Sequence, residues 1–530
     1  MFQTFAANRG NRCYAQVTEP LYDRSRYHYR HYLKHLGPRS ETLQPVIEHL
    51  GYDLTEIGND TGPMPPIAAA IPSAPPPEFT QLLQQAAAHE HAGRLGEAEA
   101  LLNRILPPAP DMALALNLLG VVLFRTGRAA EAIERIEGAV VLAPKVALFH
   151  RNLCEIYRTV GRFDDALAAG RRAVELDPNH PDAHHNLSVL HNHRCEPDAA
   201  VRCAEQALAI APNMPGAHFE IAAARLSQGD FARGWEEHES WFNLASAQGL
   251  MPPTDRPKWD GRPLGQSETL LLIADQGYGD VIQFSRYIPW AAARCPAIAV
   301  ACGRQLHPVI ARQPGVGLLF DHWDHTPDFV AWCPLSSLPR LAGTRVETIP
   351  ATIPYLHADP ARIGFWAERL ATLAPHGFRR IGLVWAGRAT HVNDSNRSAT
   401  LAAFAPLAEL PGVALVALQK DSPQAEAGRY GGRAPLINLG PEIGDWGDTM
   451  AILDGLDLIV TVDTAVAHLA GAMGKPVWIM LPYAADWRWL RERSDSPWYP
   501  TARLFRQSAS RDWTPVIAAI RDAIALKWRS

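Results

Sequence analysis

Two hydrophobic patterns divide this chain. Between residues 79 and 246 apolar positions recur every three to four residues with charged residues between them, the spacing of amphipathic helices. From 268 onward the pattern changes to short, nearly unbroken apolar runs, at 269–274, 298–301, 316–320, 329–333, 380–387, 414–418, 436–439, 458–462 and 477–481. Runs without alternation are strands buried on both faces, as in parallel sheets covered by helices. Helical segments between several of them complete βαβ units. The predicted fold class is therefore α + α/β: an α-solenoid followed by two α/β halves, at 268–360 and 378–505, with a crevice between them. Residues 63–78 are Pro/Ala-rich and 247–267 Pro/Gly-rich, the composition of linkers. The first 62 residues follow no clean period, and their role is unassigned. The last stretch, 506–530, carries an amphipathic helix placed to cross back onto the first half.

The helical stretch keeps an internal register. Prolines stand at 110, 144, 178 and 212, each 34 residues apart. Turn pairs recur with them: Gly93-Arg94, Gly127-Arg128, Gly161-Arg162, Cys195-Glu196 and Gly229-Asp230. Small residues follow at Ala98, Ala132, Ala166, Ala200 and Gly234. This is the period of the tetratricopeptide repeat, in which each unit is an antiparallel helix pair stacked on its neighbours. About five units fill 79–246, and the fifth ends in the Trp-rich GWEEHESWF, a cap against the next domain. Such an array offers a concave face, so a protein or peptide is the expected partner. Asn152 and Asn186 are one repeat apart, and a side-chain amide both donates to and accepts from an extended peptide. The pair is similar to the asparagine ladder of protein O-GlcNAc transferases; the alternative is Asn on a solvated helix face. His150, His184 and His218 also repeat, but stacked helices hold them roughly 10 Å apart, too far to share an ion.

Composition narrows the function classes. The net charge of −5 gives no footing for nucleic acid or a membrane surface. No apolar run reaches the roughly 20 residues of a membrane span. The N-terminus lacks a secretory h-region, and the seven scattered cysteines form no CxxC pair. The expectation is a cytoplasmic protein with free thiols and no metal.

Candidate chemistry gathers in two loops. In 456–489 a strand is followed by Asp463 and Thr464, a helix from Ala465 that carries His468, a stop at Gly474, a second strand, and then Tyr483 and Trp487. A helix N-terminus at the carboxyl end of a parallel strand binds anions, because free N–H groups and the helix dipole converge there. Asp463 as a simple cap and His468 as a core residue are the competing readings. In 269–294 a strand leads through Asp275-Gln276-Gly277-Tyr278-Gly279-Asp280 into a helix. This is not GxGxxG, and no acidic ribose ligand can be placed, which disfavours a nicotinamide enzyme. Asp280 is either a cap or a general base facing the crevice.

Taken together, DQGYGDVIQFSRYIP, IGLVWAGRATHVNDSNRS, ALQK, TVDTAVAHLAGAMGKPVWIMLPYAADWRW and SPWYPTARLFRQ resemble the heptosyltransferase-like glycosyltransferases that bacteria fuse to tetratricopeptide arrays. The resemblance covers about 265–510. It implies a GT-B fold of two Rossmann-like domains, the second holding a nucleotide-sugar as co-substrate, with no cofactor, no metal and inversion at the sugar. It makes Asp280 the catalytic base on a loop with Gln276, Gly277 and Gly279. It assigns donor binding to Trp385, Gly387, Asn393, Arg397, Gln419, Lys420, Asp463, Thr464, Ala465, His468, Tyr483 and Trp487. Heptosyltransferases carry no repeats, so the roughly 170-residue scaffold favours a protein acceptor. The expected reaction is sugar transfer to Ser/Thr of a bacterial protein, with flagellin one candidate. The alternatives are a lipopolysaccharide-type glycan transferase that uses the repeats for assembly, and a non-catalytic interaction protein.

Overall fold

The computed structural model describes residues 77–528 apart from positions 245, 246, 248 and 392. The N-terminal segment 1–62 and most of the Pro/Ala linker lie outside the described residues. These form two compact units, 77–217 and 218–528.

The first unit is built from antiparallel helix pairs: α1 (Pro77–His91) with α2 (Leu95–Ile105), α3 (Ala113–Arg125) with α4 (Ala129–Leu142), α5 (Ala147–Thr159) with α6 (Phe163–Leu176), and α7 (Pro181–His193) with α8 (Pro197–Ile210). The first pair begins two residues before the predicted array. Each pair turns on a left-handed residue, Gly93, Gly127 and Gly161, with φ between 74° and 85°. In the fourth pair Cys195 occupies that position at φ 59°. The repeat register thus imposes a conformation that costs a side-chain-bearing residue about 1–2 kcal/mol. Ala98, Ala132, Ala166 and Ala200 are fully buried where the paired helices meet, which explains why the register keeps small residues there.

The asparagine expectation is corrected at Asn152. Asn152 is buried, and its Nδ2 donates to Asn117 Oδ1 of the preceding repeat at 2.9 Å. It ties neighbouring repeats together rather than offering its amide to a peptide; Asn186 is half-buried. Two of the three repeated histidines bind the backbone, while His218 pairs with Glu237 at 2.6 Å. His150 Nε2 donates to the carbonyl of Pro144 at 2.9 Å, and His184 Nε2 to that of Pro178 at 2.8 Å. Each ring therefore secures the proline turn that opens its own repeat.

The second unit begins inside α9 (Pro215–Ser227) and continues into α10 (Phe231–His238). The fifth repeat thus groups with the α/β region. Phe231 and Trp235 of α10 are buried in the same core as the strands that follow.

That region holds two parallel sheets. The smaller has the order β3-β2-β1-β4, from β1 (Thr269–Ile273), β2 (Ala297–Ala301), β3 (Val316–Phe320) and β4 (Ala331–Pro334). The larger has the order β10-β9-β8-β5-β6-β7, from β5 (Arg379–Val384), β6 (Val413–Ala417), β7 (Leu436–Asn438), β8 (Leu458–Val462), β9 (Val477–Leu481) and β10 (Ala502–Arg506). This is the doubly wound order, with its topological switch between β5 and β8, where a crevice opens at the carboxyl ends of the strands. β10 is an addition to the predicted strands. It is an edge strand with Arg503 and Arg506 among its apolar residues, so it lacks the unbroken run of its neighbours.

Two expectations are revised. The helix after the Gly loop is interrupted: α11 (Tyr278–Phe284) gives way to a 3-10 turn at Ser285–Tyr287 before helix resumes at Ile288–Ala292. Pro289 lacks the N–H that a continuous helix would use there. The terminal helix does not cross to the first half. The apolar face of this helix, Val516, Ile517, Ile520 and Ile524, packs with Ile381, Leu383, Leu415, Val460 and Phe505 on the larger sheet.

Candidate active site

The switch point of the smaller sheet lies between β1 and β4. Asp275, two residues past the end of β1, accepts from Ser336 N at 3.2 Å and Ser336 Oγ at 2.5 Å, closing the loop after β4 against the Gly loop. Burial pushes this carboxyl up to about 6. The chain then turns through Gln276 and Gly277, whose extended backbone caps α11. Asp280 stands in the first turn of α11.

The larger sheet brings its own switch point to the same place. Helix α14 (Ala465–Ala472) starts immediately after β8, with Thr464 at its N-cap. The Thr464 hydroxyl pairs with Thr461 Oγ1 at 3.1 Å and makes no capping bond, leaving the first N–H groups of α14 without a side-chain cap. Helices α11 and α14 pack directly on each other, and Gly279 makes this possible. A Cβ there would lie 2.9 Å from His468 Cδ2 and 3.6 Å from Ala465 Cα. The Gly loop and the α14 N-terminus, read separately from sequence, therefore form one site.

Its charges meet at Arg488, on the loop after β9. The guanidinium pairs with Asp280 Oδ1 through Nη2, with Asp486 Oδ1 through Nη1 at 2.9 Å, and with Gln283 Oε1 through Nε at 2.6 Å. The Asp280 side chain is 23% exposed and that of Arg488 only 9%. Burial raises the Asp280 carboxyl above its ordinary value, while Arg488 pulls it back. Burial also raises Asp463, reinforced by Asp486, whereas Arg488 holds Asp486 below the usual range against the cost of burial. Arg488 was assigned no role from sequence. The only local signal was a cation between two tryptophans.

The other predicted donor residues divide into two groups. Arg397 belongs to the site: its Nη1 donates to the Asp463 carbonyl at 3.2 Å and its Nε lies 3.5 Å from Asp394 Oδ1, bridging the crevice between β5 and β8. Gly387 lies beneath that guanidinium and donates to Ser398 Oγ at 2.9 Å. Asn393 caps the short helix that carries Arg397, and its Oδ1 accepts from Asn396 at 2.7 Å. Tyr483 lies further along, with Arg511 over its ring at 5.5 Å.

The remainder serve the framework. Trp385 is fully buried in the core on the α15 (Thr514–Lys527) side of the sheet. Gln419 clamps that strand end, accepting from Trp385 N and Ala386 N and donating to the Ala386 carbonyl at 3.1 Å. Lys420 Nζ donates to the carbonyls of Gly440 at 3.1 Å and Ile443 at 2.6 Å, so its charge secures the turn after β7. Trp487 forms no wall of the crevice: it packs edge-on against Trp235 at 5.2 Å and Phe231 at 6.4 Å. His468 is buried, stacked on Trp489 at 5.1 Å, with Nδ1 3.0 Å from Tyr499 Oη. Burial, then Arg488, pushes its imidazole down to about 3, so it is a neutral packing group at the contact of the two halves. Among the described residues no group of three or more His, Cys, Asp or Glu is placed to hold a metal ion. Asp321, three residues before a second acid at Asp324, is paired with Arg304 at 3.1 Å.

Comparison with known proteins finds matches in both the helical and the α/β parts of the chain. Residues 109–147 and 145–213 match the tetratricopeptide repeat. Residues 412–481 match glycosyltransferase family 9 (heptosyltransferase), a stretch running from β6 to β9 and including Asp463, Thr464 and His468. Protein FlbA of Caulobacter vibrioides is 27% identical over 337 residues, 58% of this chain and 54% of that protein. The chain thus spans about half the length of that curated relative. Among solved structures, TTC0263, a thermophilic TPR protein in Thermus thermophilus, is 22% identical with a TM-score of 0.29, covering 32% of this chain and 93% of that one. MamA is 21% identical with a TM-score of 0.28, covering 30% and 93%. By the family matches, the chain carries tetratricopeptide repeats over 109–213 and, over 412–481, a glycosyltransferase family 9 (heptosyltransferase) stretch.

Proposed function

We propose that this protein is a glycosyltransferase that moves a sugar from a nucleotide-sugar to a Ser or Thr hydroxyl of a protein acceptor recruited by its repeats. One observation carries the reading: Asp280 and the uncapped N-terminus of α14 meet at the carboxyl ends of two parallel sheets. The first is a carboxylate raised by burial, suited to accept a proton. The second is an anion site, suited to a departing phosphate. The acceptor oxygen attacks the anomeric carbon, its proton passes to Asp280, and the bond from that carbon to the phosphate oxygen of the nucleotide breaks, with its electron pair leaving on the phosphate oxygen. Arg397, beside Asp463, lies where it would neutralise the leaving group. A single displacement of this kind inverts the anomeric centre. The repeats support a protein acceptor because stacked helix pairs bind peptides along one face; flagellin is one candidate. The reaction needs no cofactor beyond the nucleotide-sugar.

Two measurements test the reading. Melting of the full chain with UDP, GDP, ADP and CMP should rise with one nucleotide, by about 2.7 kcal/mol of stabilisation at a hundredfold excess over Kd. Mass spectrometry of proteins from a strain lacking the chain should show a lost O-linked glycan. No shift with any nucleotide would favour a non-catalytic scaffold, and altered lipid-linked sugars with unchanged protein glycans would favour a glycan-assembly enzyme.

A further inference from the structure

The terminal repeat and the candidate base are connected through two adjacent residues. Trp487 is buried against Trp235 and Phe231 of α10, in edge-on contacts with interplanar angles of 90° and 88°. The next residue, Arg488, lays its guanidinium over the Trp487 ring at 4.2 Å and over Phe284 of α11 at 5.6 Å. From there it reaches Asp280, Gln283 and Asp486. Gln283 is one turn along α11 from Asp280, so the planar fork spans both and fixes α11 against the loop after β9. A lysine ammonium, a single point of charge, could not hold all three acceptors in one plane.

We infer that Arg488 is a positioning residue for Asp280, and that the last repeat helix, through Trp235 and Trp487, holds Arg488 in place. This rests on the reading of Asp280 as the base. The repeat end is then part of the catalytic framework, beyond its use as a tether for the acceptor. The groups acting on this pair come from every element around it: Asp275 from the end of β1, Asp486 from the same loop as Arg488, Asp463 and Arg397 from the larger sheet's switch point, His468 from α14 and His238 from α10. Among them Arg488 is the cation in direct contact with Asp280, so removing it raises the pH needed to keep that carboxylate ionised.

The test uses the full chain and a lysate of a strain lacking it, which supplies acceptor and nucleotide-sugar together; the readout is the initial rate of glycan appearance on protein between pH 5.5 and 8.5. Arg488→Gln should move the acid limb of the profile up by at least one pH unit and lower the rate at pH 7 by about 10–100-fold, with partial recovery at pH 8.5. Asp280→Asn should be inactive at every pH. Arg488→Lys, which keeps the charge, should leave the acid limb in place while lowering the rate several-fold. Trp235→Leu, outside the charged cluster, should lower the rate with an unchanged nucleotide-induced rise in melting temperature, and it carries the test where Arg488→Gln does not fold. An acid limb unmoved in Arg488→Gln, or a native rate in Trp235→Leu, would overturn the inference while leaving the glycosyltransferase reading intact. Absence of transfer by the native chain would remove both.

Discussion

At the scale of single residues, Gly279 is held tightly by its surroundings. It lies where α11 and α14 approach most closely, and the neighbour a methyl group would strike is the ring of His468, itself fixed by Trp489 and Tyr499. Gly279→Ala should therefore push the two helices apart, at about 1–3 kcal/mol of stability. It should also lower transfer more than nucleotide binding, because the displaced helix carries Asp280 and the anion site lies on its neighbour; a melting curve and a nucleotide titration on the same variant check this. The Gly loop and the Asp463-Thr464 step were legible from sequence because their residue types match what a tight turn and a helix start require. Trp385, Gln419 and Lys420 were not. A residue type at a strand end does not say whether the side chain enters the crevice or turns into the core, and one step along the strand reverses the direction. Arg488 was hidden for another reason: its partners Asp280 and Gln283 are 208 and 205 residues away, and only the docking of two separate sheets joins them.

Among the elements, α10 and α14 each bury a histidine at a contact that holds the second unit together. His238 of α10 is edge-on to Trp235 at 5.8 Å, and its Nδ1 is buried without a hydrogen-bond partner. Burial, then Arg488, pushes it down to about 4, and His468 is pushed to about 3. Both values lie below that of the unfolded chain, so the unfolded state takes up protons first as pH falls. The stability is fully present above about pH 6.5 and declines below it, by about 2 kcal/mol per histidine at pH 5. His238→Phe keeps the ring and removes the titrating nitrogen. The melting temperature of this variant should match or exceed that of the native chain at pH 7.5, and the difference should widen as the pH falls to 5. A constant difference across that range would show that His238 does not titrate on unfolding. The helical pattern announced α10 as a helix; what it packs against came from the aromatic residues, whose partners lie in a loop more than 240 residues further on.

For the whole molecule, the structural boundary lies near residue 217, about 30 residues before the linker that composition suggests. Composition marks where the chain is Pro- and Gly-rich, but a compact unit is set by where apolar surface is buried, and Phe231 and Trp235 bury theirs with the sheets. A fragment of 218–530 should accordingly express as a soluble, cooperatively melting protein. A fragment of 247–530 would expose the ring faces of Trp487 and Trp498 that α10 covers, and should aggregate or bind a hydrophobic dye. Equal solubility of the two fragments would count against the boundary. The apolar strand runs and the 34-residue register were both readable in advance, because each rests on a pattern repeated many times; the boundary depends on a handful of contacts that occur once.

The residence of the fifth repeat in the second unit also bears on how such a chain can change over generations. Duplication or loss of a 34-residue segment upstream of position 217 inserts or removes one module between like neighbours, and the helix-pair contacts at the repeated small residues are remade by the adjoining copy. The same event at the fifth position would delete Phe231 and Trp235, whose partners have no second copy. The reach of the array is thus free to drift in whole steps while its last unit is pinned, so the array and the α/β site can evolve on separate clocks within one gene.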